Sequence, residues 1–180
     1  MHAIKLVAIL AAASAEMYGE GSARRLVISA PDRKIALIED GQVVKVYPVA
    51  VGKASTPSPH GSFHIASRVQ HPTWYHPGKV VGPGPANPLG TRWMGLGYKG
   101  YGIHGTNMPL SIGKAASHGC IRMRNRDVED LFNRVEVGDA VELVTEVSPD
   151  LAEAFGENEA QPSTPATTTV ALVSGGGDAQ

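Results

Sequence analysis

RLVISAPDRKIALIEDGQVVKVYPVAVG, residues 25–52, sets the fold class. Apolar residues in RLVISA (25–30) and KIALIED (34–40) recur in short runs, too brief for helices and rich in the β-branched types that suit strands. Pro31-Asp32-Arg33 separates the two runs as a turn. EDGQ (39–42) holds an Asp-Gly pair, a hairpin signal, and leads into VVKVYPVAVG (43–52). The spacing predicts a three-stranded meander.

Outward from it, SFHIASRV (62–69) reads as a further strand, entered through TPSPHG (56–61). Residues 70–90, QHPTWYHPGKVVGPGPANPLG, hold five prolines and four glycines. Proline removes an N–H donor and disrupts both helix and ladder, so a long loop is expected here. Long loops in compact domains often serve as lids or binding loops. Trp74, Tyr75 and Trp93 lie in or beside it, as packing residues or as contacts for a substrate. RWMGLG (92–97), YGIHG (101–105) and DAVELVT (139–145) are strand candidates. One helix is expected: Asn125 as N-cap, Asp127 in the first turn, and Val128, Leu131, Phe132 and Val135 on one face. The predicted class is mainly β, a β-rich α+β protein with one short helix.

The ends differ from this core. Lys5, the apolar run LVAILAAA (6–13) and Ala13-Ser14-Ala15 have the order of an export signal with a cleavage site, predicted over residues 1–15. The run is too short to cross a bilayer of roughly 30 Å, so no transmembrane segment is expected. Residues 157–180 are rich in Thr, Pro, Ser, Ala and Gly without aromatics, which predicts a disordered tail. With 16 basic and 17 acidic residues among 180, no electrostatic feature points to nucleic acid.

Cys120 is the only cysteine, so it cannot form an internal disulfide. It stands in SHGC (117–120), directly after a glycine and two residues after a histidine. A free thiol is mostly protonated at neutral pH and needs a neighbouring base or cation to become a nucleophile. His118 and His104 are the candidates. If the segment is extended, His118 and Cys120 point to one side. His104 ends a strand-like run, from which a tertiary contact could bring its ring to the sulfur. It is the expected general base, with His118 shaping the site. Gly119 permits tight backbone geometry before the sulfur, and N–H groups around Gly119 and Cys120 are candidates for an oxyanion hole. The carbonyl of Gly105 is the expected orienter of the His104 imidazole, the part usually played by Asp or Asn.

HGTNMPLSIGKAASHGCIRMRNRDVEDL (104–131) resembles the signature of the YkuD-type L,D-transpeptidases: an upstream His-Gly, then Ser-His-Gly-Cys, an apolar residue and Arg. TPSPHGSF (56–63) resembles the family's Thr-Pro-x-Gly-x-Phe stretch with one extra residue. HPTWYHPG and NPLGTRWMGLG resemble its Pro/Trp loop. The likeness covers residues 24–146 and implies a sandwich-like β domain needing no metal or cofactor. It implies that Cys120 attacks the bond after a diaminopimelyl residue in a peptidoglycan tetrapeptide stem. D-alanine leaves, and an amine from another stem or from an envelope lipoprotein resolves the thioester. His104 matches the proton donor and acceptor. Ser117 and Arg122 match the surrounding motif and, with Trp93 and Tyr101, are the expected substrate contacts. Arg122 suits a substrate carboxylate, which guanidinium binds bidentately. An exported enzyme of the periplasm or cell envelope is implied.

Two other readings stay open on the motif alone. Water resolving the same thioester makes an L,D-carboxypeptidase or a cross-link-cleaving peptidase; a domain that binds cell wall without turnover would not need both Cys120 and His104. A metal site is not expected. His60 and His64 would converge on a helix, but Pro59 and Gly61 oppose one, and on a strand they would stand about 13 Å apart.

Overall fold

A computed structural model describes residues 24–98, 100–146 and 155; the predicted export signal and the predicted tail lie outside them. The opening run forms β1 (Arg25–Ser29), β2 (Lys34–Glu39) and β3 (Gln42–Pro48), an antiparallel meander. Its last residues depart from the expected continuous strand: β4 (Val51–Gly52) belongs to a different sheet. The 62–69 run is likewise two strands. β5 (Gly61–His64) and β6 (Ser67–Gln70) are separated at Ile65-Ala66. Ile65 N–H donates to Asp139 O, whereas Ala66 N–H donates to Gly95 O, so the chain changes sheets between adjacent residues.

The expected structureless loop carries a small hairpin of its own, β7 (Trp74–His76) with β8 (Lys79–Val81). Its prolines flank these strands rather than interrupt their pairing. His71 N–H donates to Thr91 O and closes the base of the excursion. Buried Asn87 fills it: Nδ2 donates to Pro72 O at 2.7 Å and Gly82 O at 3.0 Å, and Oδ1 accepts from Leu89 N–H at 2.8 Å. Backbone groups that would otherwise lack partners inside the loop are satisfied by this one side chain.

The chain continues through β9 (Arg92–Gly95), β10 (Gly102–His104), a 3-10 turn at Pro109–Ser111, β11 (Ala115–Ser117), β12 (Ile121–Arg122), α1 (Asn125–Phe132) and β13 (Ala140–Val144). One sheet has the order β3-β2-β1-β13-β5, with β1 and β13 parallel; the other has the order β12-β10-β9-β6. β11 pairs with β4. Leu26, Ile28, Ile35, Leu37 and Leu143 of the first sheet share a core with Met94 and Ile103 of the second. Val27, Ala36 and Ile38 on the opposite face are also buried, with Phe155 against them. The described residues form the expected β-rich sandwich, with the short helix α1 packed against it.

Helix α1 buries Val128, Leu131 and Phe132, the 3–4 spacing of a single face, against β9 and β10. Burial of each such side chain contributes about 1.5–3 kcal/mol. Its N-cap is Arg124, not Asn125, and no side chain caps it. Asn125 is the first helical residue, and its side chain is used elsewhere.

Candidate active site

Cys120 lies in the bend joining β11 to β12, and His104 closes β10 beside β12. Parallel pairing of β10 with β12 puts His104 in register with Arg122. Cys120 is half-buried, and its Sγ lies 3.4 Å from Gly100 O, at the entry to β10. A bend and a strand start separated by twenty residues thus meet at the sulfur. Burial pushes the thiol above its ordinary range, opposed by a backbone hydrogen bond from Gly102 and by the cation of Arg122.

His104 is only 4% exposed. Its Nδ1 stands 2.6 Å from Gly105 O, and its ring stacks on Trp93 with centroids 5.7 Å apart. A carbonyl can only accept, so Nδ1 carries the proton and Nε2 presents a lone pair. Burial pushes the imidazole down to about 4; the bond to Gly105 O opposes this and the Arg122 cation adds to it. At neutral pH the site holds a neutral imidazole and a protonated thiol.

The SHGC bend is held from within. Ser117 is 1% exposed; its hydroxyl donates to Cys120 O at 2.6 Å and accepts from Gly119 N–H at 3.0 Å. Expected among the substrate contacts, it turns inward instead. Gly119 N–H is thereby occupied, and of the two N–H groups expected at an oxyanion hole, that of Cys120 stays free among the described residues. Gly119 adopts φ +113°, and a Cβ there would lie 2.5 Å from the Tyr101 ring. Only glycine satisfies both conditions. With φ positive, the segment is not extended, so His118 and Cys120 are not the same-side pair that extension would make. His118 is exposed.

Tyr101 packs under Gly119, and its ring lies 5.1 Å from that of half-exposed Tyr98. Trp93 backs His104 rather than lining the loop. The 56–61 turn buttresses the bend: Thr56 Oγ1 and Lys53 N–H both donate to Ser117 O. Arg122 is partly exposed, and its guanidinium has no hydrogen bond or ion pair among the described residues. Those residues contain no group of three or more His, Cys, Asp or Glu placed to hold a metal ion, and no helix long and apolar enough to cross a membrane.

Sequence reasoning missed two asparagines. Asn87 braces the loop, and Asn125 Oδ1 accepts from Thr91 N–H at 3.3 Å and Thr106 N–H at 3.1 Å. Asn87 had one local signal, a polar residue set among prolines and glycines whose carbonyls need donors.

A family model described as YkuD, L,D-transpeptidase catalytic domain, matches residues 23–143. The YkuD protein of Bacillus licheniformis is 44% identical over 119 residues, covering 66% of this chain and 64% of that protein. The YqjB protein of Bacillus subtilis is 39% identical over 140 residues, covering 75% and 78%. An L,D-transpeptidase solved in complex with imipenem superposes with a TM-score of 0.58 at 26% identity, covering 69% of this chain and 60% of that one. The chain therefore spans just under two thirds of the Bacillus licheniformis protein. With the fold, the bend and the family model in agreement, the chain belongs to the YkuD family of L,D-transpeptidase catalytic domains.

Proposed function

We propose that this protein is an exported L,D-transpeptidase whose nucleophile is Cys120 and whose general base is His104. The observation that carries the reading is geometric: Gly105 O holds Nδ1–H of the buried His104 at 2.6 Å, leaving Nε2 as the acceptor, on the strand that pairs with the one following Cys120. In acylation, Sγ attacks the carbonyl carbon between a diaminopimelyl residue and the terminal D-alanine of a stem peptide. Its proton passes to Nε2 of His104, and the carbonyl oxygen takes the negative charge, facing the Cys120 N–H. As the tetrahedral centre collapses, Nε2 returns the proton to the departing amine of D-alanine, leaving a thioester on Cys120. An acceptor amine then attacks the thioester. His104 takes a proton from that amine and restores it to sulfur as the new amide forms.

Arg122 supplies a cation for a stem carboxylate, since its partly exposed guanidinium has no partner among the described residues and can bind one. Residues 24–146 are the catalytic unit, residues 1–15 direct export, and the acceptor is an amine of another stem or of an envelope lipoprotein.

The test is mass spectrometry of purified protein incubated with a disaccharide tetrapeptide. A dimer joined through two diaminopimelyl residues, absent with Cys120→Ala, is the expected product. Tripeptide alone, unchanged when a D-amino acid is added, would instead assign hydrolysis. Imipenem, bound by the solved relative, supplies an independent readout as a mass shift on Cys120.

A further inference from the structure

Asn125 is the first helical residue of α1, one past the N-cap Arg124, and its side chain makes no cap. Its Oδ1 reaches across to two other segments instead. Thr91 N–H, at the end of the long loop, and Thr106 N–H, just past His104, both donate to it. Two donors converge on one atom, so that atom must be the oxygen of the amide. The fit is close on both sides: a Cβ on Gly90 would lie 2.1 Å from Oδ1, and one on Gly105 would lie 2.3 Å from it.

The N–H of Thr106 and the carbonyl of Gly105 belong to the same peptide group. That carbonyl is the one that accepts the Nδ1 proton of His104, at 2.6 Å. A planar peptide holds its N–H and C=O antiparallel, so fixing one end fixes the other. The result is a continuous chain of hydrogen bonds, from Nδ1–H of His104 to Gly105 O, then from Thr106 N–H of the same peptide to Asn125 Oδ1. Each bond polarises the next. Were this peptide to flip, an N–H would face Nδ1, and the proton would have to move to Nε2, the nitrogen that must accept from sulfur.

We infer that Asn125 is a positioning residue for the acyl transfer, acting through the Gly105–Thr106 peptide to keep His104 in the tautomer whose Nε2 is free. The inference rests on His104 being the general base.

The test uses the whole protein with imipenem as the acylating probe and the ring nitrogens of 15N-labelled histidine as a second readout. Wild type should show His104 protonated on Nδ1. Asn125→Ala should slow acylation of Cys120 roughly fivefold, with the half-saturating imipenem concentration little changed, since one orienting hydrogen bond of about 1 kcal/mol is lost. Its His104 spectrum should show the Nε2–H tautomer appearing. Asn125→Asp keeps an oxygen facing both donors and should hold the wild-type tautomer and most of the rate. Asn125→Ala with wild-type tautomer and rate overturns the inference. If that variant does not fold, the wild-type and Asn125→Asp spectra decide, because a proton on Nε2 in either removes the proposed chain. His104→Ala separates the two claims. If it acylates at the wild-type rate, the base assignment fails and the inference falls with it; if it is inert while Asn125→Ala behaves as wild type, only the inference falls.

Discussion

His104 and Arg122 are register partners on the parallel strands β10 and β12, which sets a cation beside an imidazole that burial keeps neutral. The arginine opposes protonation of His104 and favours the thiolate of Cys120. Removing the charge should therefore act on binding and on titration together. Arg122→Gln should raise the KM for a tetrapeptide stem by about ten- to a hundredfold, the worth of a charged hydrogen bond of about 1.5–3 kcal/mol. It should also move the acid limb of the acylation rate to higher pH. Steady-state kinetics against pH checks both, and an unchanged KM removes Arg122 from substrate binding.

The thiol of Cys120 makes a second expectation, because burial holds it protonated. Its alkylation by iodoacetamide should still be climbing at about pH 9, past the midpoint of about 8.5 for a free thiol. A plateau near pH 6 would mean a resting thiolate–imidazolium pair and would contradict the neutral pair described above. Cys120→Ala should abolish imipenem adducts while leaving urea unfolding nearly unchanged, since the hydrogen bond from the sulfur to Gly100 O, at 3.4 Å, is weak.

Much of this fold was legible because β1, β2, α1 and β13 are each specified by their own local pattern. The 62–69 run was not, because nothing in its sequence marks Ile65 as the place where the backbone leaves one sheet for another. That step is set by Asp139 O and Gly95 O, far along the chain. In the same way, the carbonyl of Gly105 was readable from its adjacency to His104, whereas the oxygen behind that peptide was not. Asn125 looked like a cap by position, and only tertiary packing of α1 on β10 gives it another task. Ser117 has a readable motif but an unreadable direction: burial in the bend, not residue type, turns its hydroxyl inward.

Acid should destabilise the fold through His104. Its imidazole titrates at about 4 when folded and near 6.5 when unfolded. Between these values the unfolded chain binds the extra proton, so stability is complete above about pH 6.5 and falls as pH drops towards 4. The loss is on the order of 3 kcal/mol at pH 4. Urea denaturation at pH 7 and pH 4.5 should show it in wild type, with a markedly smaller difference in His104→Gln. Equal losses in the two proteins would place the acid sensitivity elsewhere, though not at Asp130. That carboxylate is held down to about 2 by Lys45, Tyr47 and Arg134 against the effect of burial, so its stabilisation disappears only at lower pH.

The bend itself can be dissected at Ser117 and Gly119, which fail for different reasons. Ser117→Ala removes the donor to Cys120 O and the acceptor for Gly119 N–H, two backbone groups of one tight turn. Leaving a buried polar group unpaired costs about 1–3 kcal/mol, and a loosened bend no longer fixes the direction of Sγ. Reduced stability and slower imipenem acylation are expected together. Gly119→Ala keeps those bonds available but demands a side chain at φ +113° and against the Tyr101 ring. Shortening Tyr101 would relieve the contact without relieving the backbone, so Gly119→Ala with Tyr101→Ala should recover little of the acylation rate. Mass spectrometry of Cys120 adducts over time, alongside urea unfolding, reads both effects. Full recovery in the double variant would mean that the ring contact, and not the left-handed backbone, is what requires glycine before Cys120.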